Sequence, residues 1–312
     1  MEQKEFQLYK ERSFSEKLND TFGFLRDNWR VIGLWNIYLI FPVCLLLAVP
    51  MNQTFSQLTD LFSNNVVGAE ALAKVPGGDA AGFINVLLSL FVFALMVTLV
   101  QLYMEREQKL ENLSFKELQT PLFANLGYSV LMSLVFFLFF VGFLFGMVMM
   151  GVVMMELFGP IVLFVVLLAT AVVLTPIMAL IPVVYLMERQ EGLGLFEAFR
   201  KGFRLGWHTW GGLAGLLFVL FIVMMILSLV LQGPAIVTWI VDLVSAKKAG
   251  AAYEAPSALA SFGRYLLSVL MIFGGELVTI PMIMGTIVHY GHAREKLDGV
   301  TVDEEIDSFD TL

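Results

Sequence analysis

The chain has 312 residues, of which 58% are hydrophobic and 15% charged, with a formal net charge of −8 and a mean hydropathy of +0.81. Soluble globular domains run to about 45 to 50% apolar residues, so this composition excludes one and points to a polytopic membrane chain. The acids gather at the two ends, and a tail carrying Asp298, Asp303, Glu304, Glu305, Asp307 and Asp310 speaks against nucleic acid as a partner of that end.

Residues 1–30 are polar and alternate in charge, and no small-residue cleavage motif follows the first apolar run, so no removable signal peptide is expected. From Phe14 the apolar residues fall at 14, 18, 22, 25 and 29, while Lys17, Asp20, Arg26, Asp27 and Arg30 take the remaining positions. That 3,4 spacing predicts an amphipathic helix in the membrane interface, ending at Trp29. A span needs about 20 apolar residues to cross a hydrocarbon core of about 30 Å. Six stretches qualify: 31–50, 82–103, 126–153, 161–187, 211–231 and 266–290. Cys44, the single cysteine, falls in the first and reads as a small packing residue, which leaves no disulfide framework and no cysteine metal site.

Fifteen of the nineteen Lys and Arg residues lie before spans one, three and five or after span six, and four lie in the alternate loops. The positive-inside rule then predicts cytoplasmic N- and C-termini. Four short phrases border the spans on that same side, at 11–16, 111–117, 191–197 and 298–304. In three of them Ser13, Ser114 or Thr301 stands three residues before a glutamate, the capping box that satisfies free amides at a helix start; in the other, Gly194 takes the cap position before Glu197. Tyr103, Tyr185 and Tyr290 each precede paired charges, as expected of a helix leaving lipid for water. Pro176 and Pro281 lie nine residues before Tyr185 and Tyr290, predicting kinks at matching depth in spans four and six. The segments from Pro50 to Ser63 and from Pro234 to Ser245 echo one another as short outer helices, while Glu156 to Pro160 is the outer turn between spans three and four. The predicted architecture is all-α: three related helical hairpins over residues 31–297, with interfacial helices and an acidic cytoplasmic tail at 298–312.

Before span five, Phe196, Phe199, Phe203, Trp207 and Trp210 face away from a stripe of Arg200, Lys201, Arg204 and His208. The stripe suits anionic lipid headgroups, each basic residue contributing on the order of 1 kcal/mol; the plainer account is that these charges snorkel and set topology. Val302, Ile306 and Phe309 give the tail a small apolar face, and its acids suit docking onto Arg200 and Arg204.

Glu276, in Gly274-Gly275-Glu276, is the one ionisable residue near the middle of a span. A carboxyl at that depth is costly, which suits a ligand-binding or proton-responsive group facing a cavity. The alternative is a neutral acid hydrogen-bonded to a neighbouring helix. Asn36, Asn85, Thr170, Thr175 and Thr279 read as interhelical glue. The Phe and Met residues from Phe136 to Met155 suit either lipid contact or an apolar groove. Hydrolase, metalloprotease and phosphate-loop motifs are absent, and His289 and His292 share a helix face with no third ligand in reach. No catalytic residue, metal or cofactor is expected.

The run from Pro182-Val-Val-Tyr185 through Glu191-Gly-Leu-Gly-Leu-Phe-Glu-Ala-Phe-Arg-Lys-Gly-Phe-Arg-Leu-Gly-Trp-His-Thr-Trp210 resembles a bacterial family of six-span integral proteins. Its relatives include the membrane domain attached to some glycerophosphodiester phosphodiesterases. The resemblance implies a six-helix domain of the bacterial cytoplasmic membrane, and the fifteen residues after Leu297 leave no room for the phosphodiesterase domain itself. The sequence thus suggests a non-catalytic module that engages lipids or a protein partner at the cytoplasmic face. A small carrier of an apolar or lipid-like solute, with Glu276 as its proton-responsive group, is the alternative. Oligomeric state stays open.

Overall fold

The computed structural model describes residues 6–63, 78–106, 109–249 and 257–301. Among these every regular element is helical: α1 (Phe14–Leu39), α2 (Phe41–Ser63), α3 (Gly78–Glu105), α4 (Phe115–Glu188), α5 (Leu195–His208), α6 (Trp210–Ala249) and α7 (Ala258–Asp298), with one 3₁₀ turn at Arg189–Glu191. Lipid offers no partner for backbone N–H and C=O groups, so a chain this apolar satisfies them within helices. Five helical segments are long and apolar enough to cross a membrane, and α1 with α2 forms a sixth if the bent pair is one span. The protein is a multi-pass helical membrane protein.

Several predicted boundaries move. The first helix does not stop at Trp29 but runs to Leu39, because Asn28 to Ile32 contain neither proline nor a capping glycine. The break comes instead at Ile40, where the axis bends by 50°. Pro42 explains it: the ring lacks the N–H that would bond the Tyr38 carbonyl and clashes with that carbonyl, so the ladder breaks between the two helices. The outer helices expected after Pro50 and Pro234 are continuations of α2 and α6, which carry those prolines inside them. Pro281 likewise lies inside α7, and Pro176 inside α4. Spans three and four meet at Gly159, whose φ of 79° and ψ of 169° suit only glycine, within the turn expected from Glu156 to Pro160.

The chain forms two compact units, one of Met1–Asn28, Phe93–Leu220 and Pro281–Leu312, the other of Trp29–Val92 and Phe221–Ile280. In the first unit, α1 turns Lys17, Thr21 and Phe24 inward and leaves Phe14 and Phe22 exposed. The predicted apolar face is thus largely the outward one, and the protein-facing side is partly polar. The surface helix α5 packs through Ala198, Gly202, Leu205 and Gly206. A Cβ on Gly202 would lie 2.9 Å from the Ile181 Cα, so this approach to α4 needs glycine there, and one on Gly206 would lie 3.2 Å from the Ile177 Cα, a tight contact that a small shift would relieve. Gly194 and Glu197 form half of a capping box: the Gly194 N–H donates to the Glu197 carboxylate at 3.0 Å. Ser114 and Glu117 complete theirs, as do Ser13 and Glu16. Glu304 of the last predicted box, and the tail face of Val302, Ile306 and Phe309, lie outside the described residues.

Glu188 organises this unit. It is 1% exposed, accepts hydrogen bonds from Lys201 Nζ at 2.5 Å and the Tyr290 hydroxyl at 2.9 Å, and forms an ion pair with Arg294, whose Nε lies 3.0 Å away. One carboxylate therefore joins the end of α4 to α5 and α7. A second buried set joins α3 to α4: Asn125 donates to Thr98 (2.8 Å) and Gln101 (2.7 Å), and Gln101 donates to the Leu186 carbonyl (2.9 Å). The N-terminal segment closes over α7, with Leu8 buried against Gly291 and the Arg12 N–H donating to His292 Nδ1 at 2.9 Å.

Removing one member of a buried ion cluster strands the others, at a cost of about 3–5 kcal/mol. Glu188→Ala is therefore expected to lower the unfolding free energy in detergent by about that amount, while Glu191→Ala, on the exposed turn beside it, changes it by about 0.5 kcal/mol or less. Equal effects would show that Glu188 carries no such role.

Candidate functional site

The second unit holds a cavity of about 420 Å³. Small-molecule sites fall at about 300–1,000 Å³, so this one has the volume of a modest organic ligand. Its lining includes Gly82 and Ser89 of α3, seven residues apart, which at the helical rise makes it about 10 Å deep along that helix. Glu276 of α7 stands in its wall, 3% exposed. Glu276 thus combines features of both expectations: it lines a cavity and accepts a hydrogen bond from a neighbouring helix.

The sequence Gly274-Gly275-Glu276 has a distinct task at each position. A Cβ on Gly274 would come 2.9 Å from the Leu231 Cβ, so this glycine lets α7 lie close against α6. Gly275 lines the cavity; a Cβ there would sit 3.7 Å from the Gln232 amide nitrogen, at ordinary contact distance. Small residues at these two positions bring α6 close while keeping open the space into which Glu276 faces. Sequence reasoning singled out Glu276 by its charge at depth but missed Ser89 and Gln232, which carry no such mark.

The polar atoms are arranged unequally. The Ser89 hydroxyl donates to Glu276 Oε1 at 2.9 Å, and the Thr279 hydroxyl donates to the Glu276 backbone carbonyl at 2.7 Å. Gln232 donates an amide hydrogen to Ser228 Oγ at 3.2 Å. Glu276 Oε2 is buried and has no partner among the described residues. Leu47, Met51, Met271 and Ile272 supply apolar wall. Asn85, expected to bridge helices, lines the cavity instead. Three other predicted bridging residues bond carbonyls of their own helices: Asn36 donates to Ile32, Thr170 to Val166 and Thr279 to Glu276. Among the described residues no cation pairs with Glu276; Arg264, also in this unit, is engaged by Asp242 at 2.6 Å.

The other candidate surface lies on α5 in the first unit. Arg200, Lys201, Arg204 and His208 line a groove of about 570 Å³ with Phe203 and Trp207, whose rings stack with centroids 6.1 Å apart and planes at 9°. The four basic residues are not equivalent. Lys201 is spent on Glu188, and Arg204 pairs with Asp298 at 2.5 Å, the first residue of the acidic tail and the last of α7. His208 Nδ1 bonds the Arg204 carbonyl at 2.8 Å. Arg200 is exposed and has no ion-pair partner among the described residues. Phe196 is 83% exposed. The groove therefore mixes one available guanidinium with outward aromatic rings.

His289 and His292 lie 5.7 Å apart, centroid to centroid, and each is engaged locally, His289 with the Thr209 hydroxyl at 2.9 Å and His292 with the Arg12 amide. Cys44 is fully buried. In comparisons with known proteins, no family model, curated protein or solved structure matches this chain.

A hydrated cavity exposes its wall to water-borne reagents, and a packed core does not. In a Cys44→Ala background, Ser89→Cys is expected to react with a hydrophilic maleimide far faster than Cys44 does in the unaltered chain. Indistinguishable rates would mean that the cavity is closed to water.

Proposed function

We propose that this protein is a small membrane carrier whose solute binds in the cavity beside Glu276. The observation that carries the proposal is the pairing of a ligand-sized space with a buried carboxyl oxygen that no described protein group satisfies. An unpaired buried acceptor costs about 1–3 kcal/mol, and a bound partner recovers it. Of the buried side-chain atoms without a partner among the described residues, Glu276 Oε2 is the one belonging to a residue of the cavity lining. The mixed lining suits an apolar or lipid-like solute with one polar group. The charge distribution supports cytoplasmic termini, which puts the Gly82 end of the cavity toward the outer face. The resemblance of residues 182–210 supports a bacterial cytoplasmic membrane as its setting.

The second reading, a lipid- or partner-engaging module, is favoured by the α5 groove. An exposed Arg200 beside outward Phe196, Phe203 and Trp207 suits a helix seated among headgroups. The two readings are compatible, since α5 belongs to one unit and the cavity to the other.

A ligand that binds only the folded state raises its stability, by about 2.7 kcal/mol at a hundredfold excess over Kd. Thermal unfolding of the purified protein against a panel of small amphipathic compounds is expected to reveal stabilising members. Their effect should vanish in Glu276→Gln and in Gly275→Leu, and the same compounds should show counterflow in proteoliposomes. Stabilisation that survives both substitutions, or none with any compound, would contradict the carrier reading. For the α5 surface, Arg200→Glu is expected to weaken retention of anionic over zwitterionic lipid by about 1 kcal/mol, read by native mass spectrometry; unchanged retention would leave Arg200 with no role in lipid binding.

A further inference from the structure

Resting on the carrier reading of the Glu276 cavity, we infer that its solute is an amphipathic amine, held by its ammonium group on Glu276 with its apolar body against the Leu47, Met51, Met271 and Ile272 wall. The inference rests on the polar groups and the charge of the cavity wall. The Ser89 hydroxyl lies 2.9 Å from Glu276 Oε1 and 3.2 Å from the Asn85 carbonyl, the Thr279 hydroxyl donates to a backbone carbonyl, and Gln232 donates one amide hydrogen to Ser228. The open acceptors of the site are Glu276 Oε2, which is buried without a partner among the described residues, and the amide oxygen of Gln232, beside the amide groups of Asn85 and Gln232 and the hydroxyl of Thr54. An ionised carboxylate accepts and cannot donate. A solute that fills these positions must bring N–H or O–H donors of its own.

Charge separates the amine from other donors. No Lys or Arg is among the residues described as lining the cavity, and Arg264, in the same unit, is already engaged by Asp242. A neutral alcohol would satisfy Oε2, whereas an ammonium group supplies the donor and also the counter-charge that the ionised form of Glu276 needs. Charge-assisted bonds are roughly twice as strong as neutral ones. A carboxylic acid would place a second anion beside Glu276 and is excluded on the same ground. The two methionines add unbranched, adaptable surface, which fits an apolar body of variable shape.

The experiment compares three probes with one body: 3-phenylpropylamine, 3-phenylpropanol and 3-phenylpropanoic acid. Their equilibrium binding to the full chain in phosphatidylcholine nanodiscs is measured at pH 7.5 against empty nanodiscs. The amine is expected to bind about tenfold tighter than the alcohol, a difference of about 1.4 kcal/mol, with the acid weakest. Glu276→Gln should abolish the preference for the amine while the alcohol still binds. The comparison among probes on the unaltered chain stands even if that variant folds poorly. Equal binding of amine and alcohol, or tighter binding of the acid, overturns the amine assignment and leaves the cavity as a solute site. Binding of none of the three above the empty-disc level, together with no stabilising compound in the thermal panel, overturns the carrier reading as well.

Discussion

A polar group buried in this chain must find its partner within the protein, because lipid supplies none. That constraint distinguishes the two buried glutamates. Glu188 is surrounded by Lys201, Tyr290 and Arg294 and thereby ties α4, α5 and α7 together. Glu276, in the wall of a cavity, receives one hydroxyl, and its other oxygen is buried with no partner among the described residues. The first arrangement is what folding requires of a buried acid. The second leaves an acceptor without a partner among the described residues, which the proposed solute would supply.

The same constraint shapes the contacts around these groups. Helices come close where side chains are absent: α5 against α4 at Gly202 and Gly206, and α7 against α6 at Gly274. Association of helices inside a membrane draws on such close packing, since lipid tails are as apolar as leucine. Gly274 and Gly275 show the double use of a small residue, one allowing contact and the next preserving space. Thus the Glu276 site is set by backbone geometry as much as by the carboxyl itself.

Much of this is legible in the residues. Spans, caps and the turn near Gly159 follow from apolar runs, Ser-to-Glu spacing and a Gly-Pro pair, all of which act locally. Glu276 marks itself, as a lone charge at mid-span. The break at Ile40 is also local, written in Pro42, but the apolar stretch from 31 to 50 masks it. The rest depends on distant neighbours. The words around Tyr185 and Tyr290 read as punctuation at a membrane surface, yet Glu188, Tyr290 and Arg294 in those words bind one another, and no spacing reveals a partner about a hundred residues away. The stripe of Ala198, Gly202 and Gly206 at four-residue intervals is the available signal for α5 packing, overshadowed by the Phe and Arg residues around it. Ser89 and Gln232 carry no signal at all, since a serine or glutamine in an apolar helix reads alike whether it faces a cavity or a neighbour.

The proposed carrier role depends most on the state of Glu276 in a bilayer. A cryo-electron microscopy map of the full chain in nanodiscs, resolved well enough to place side chains and bound molecules, tests it directly. The carrier role predicts an open space between Ser89, Gln232 and Glu276, with water- or solute-sized density against Oε2. A collapsed, dry interface in which both carboxyl oxygens bond a neighbouring helix would contradict it.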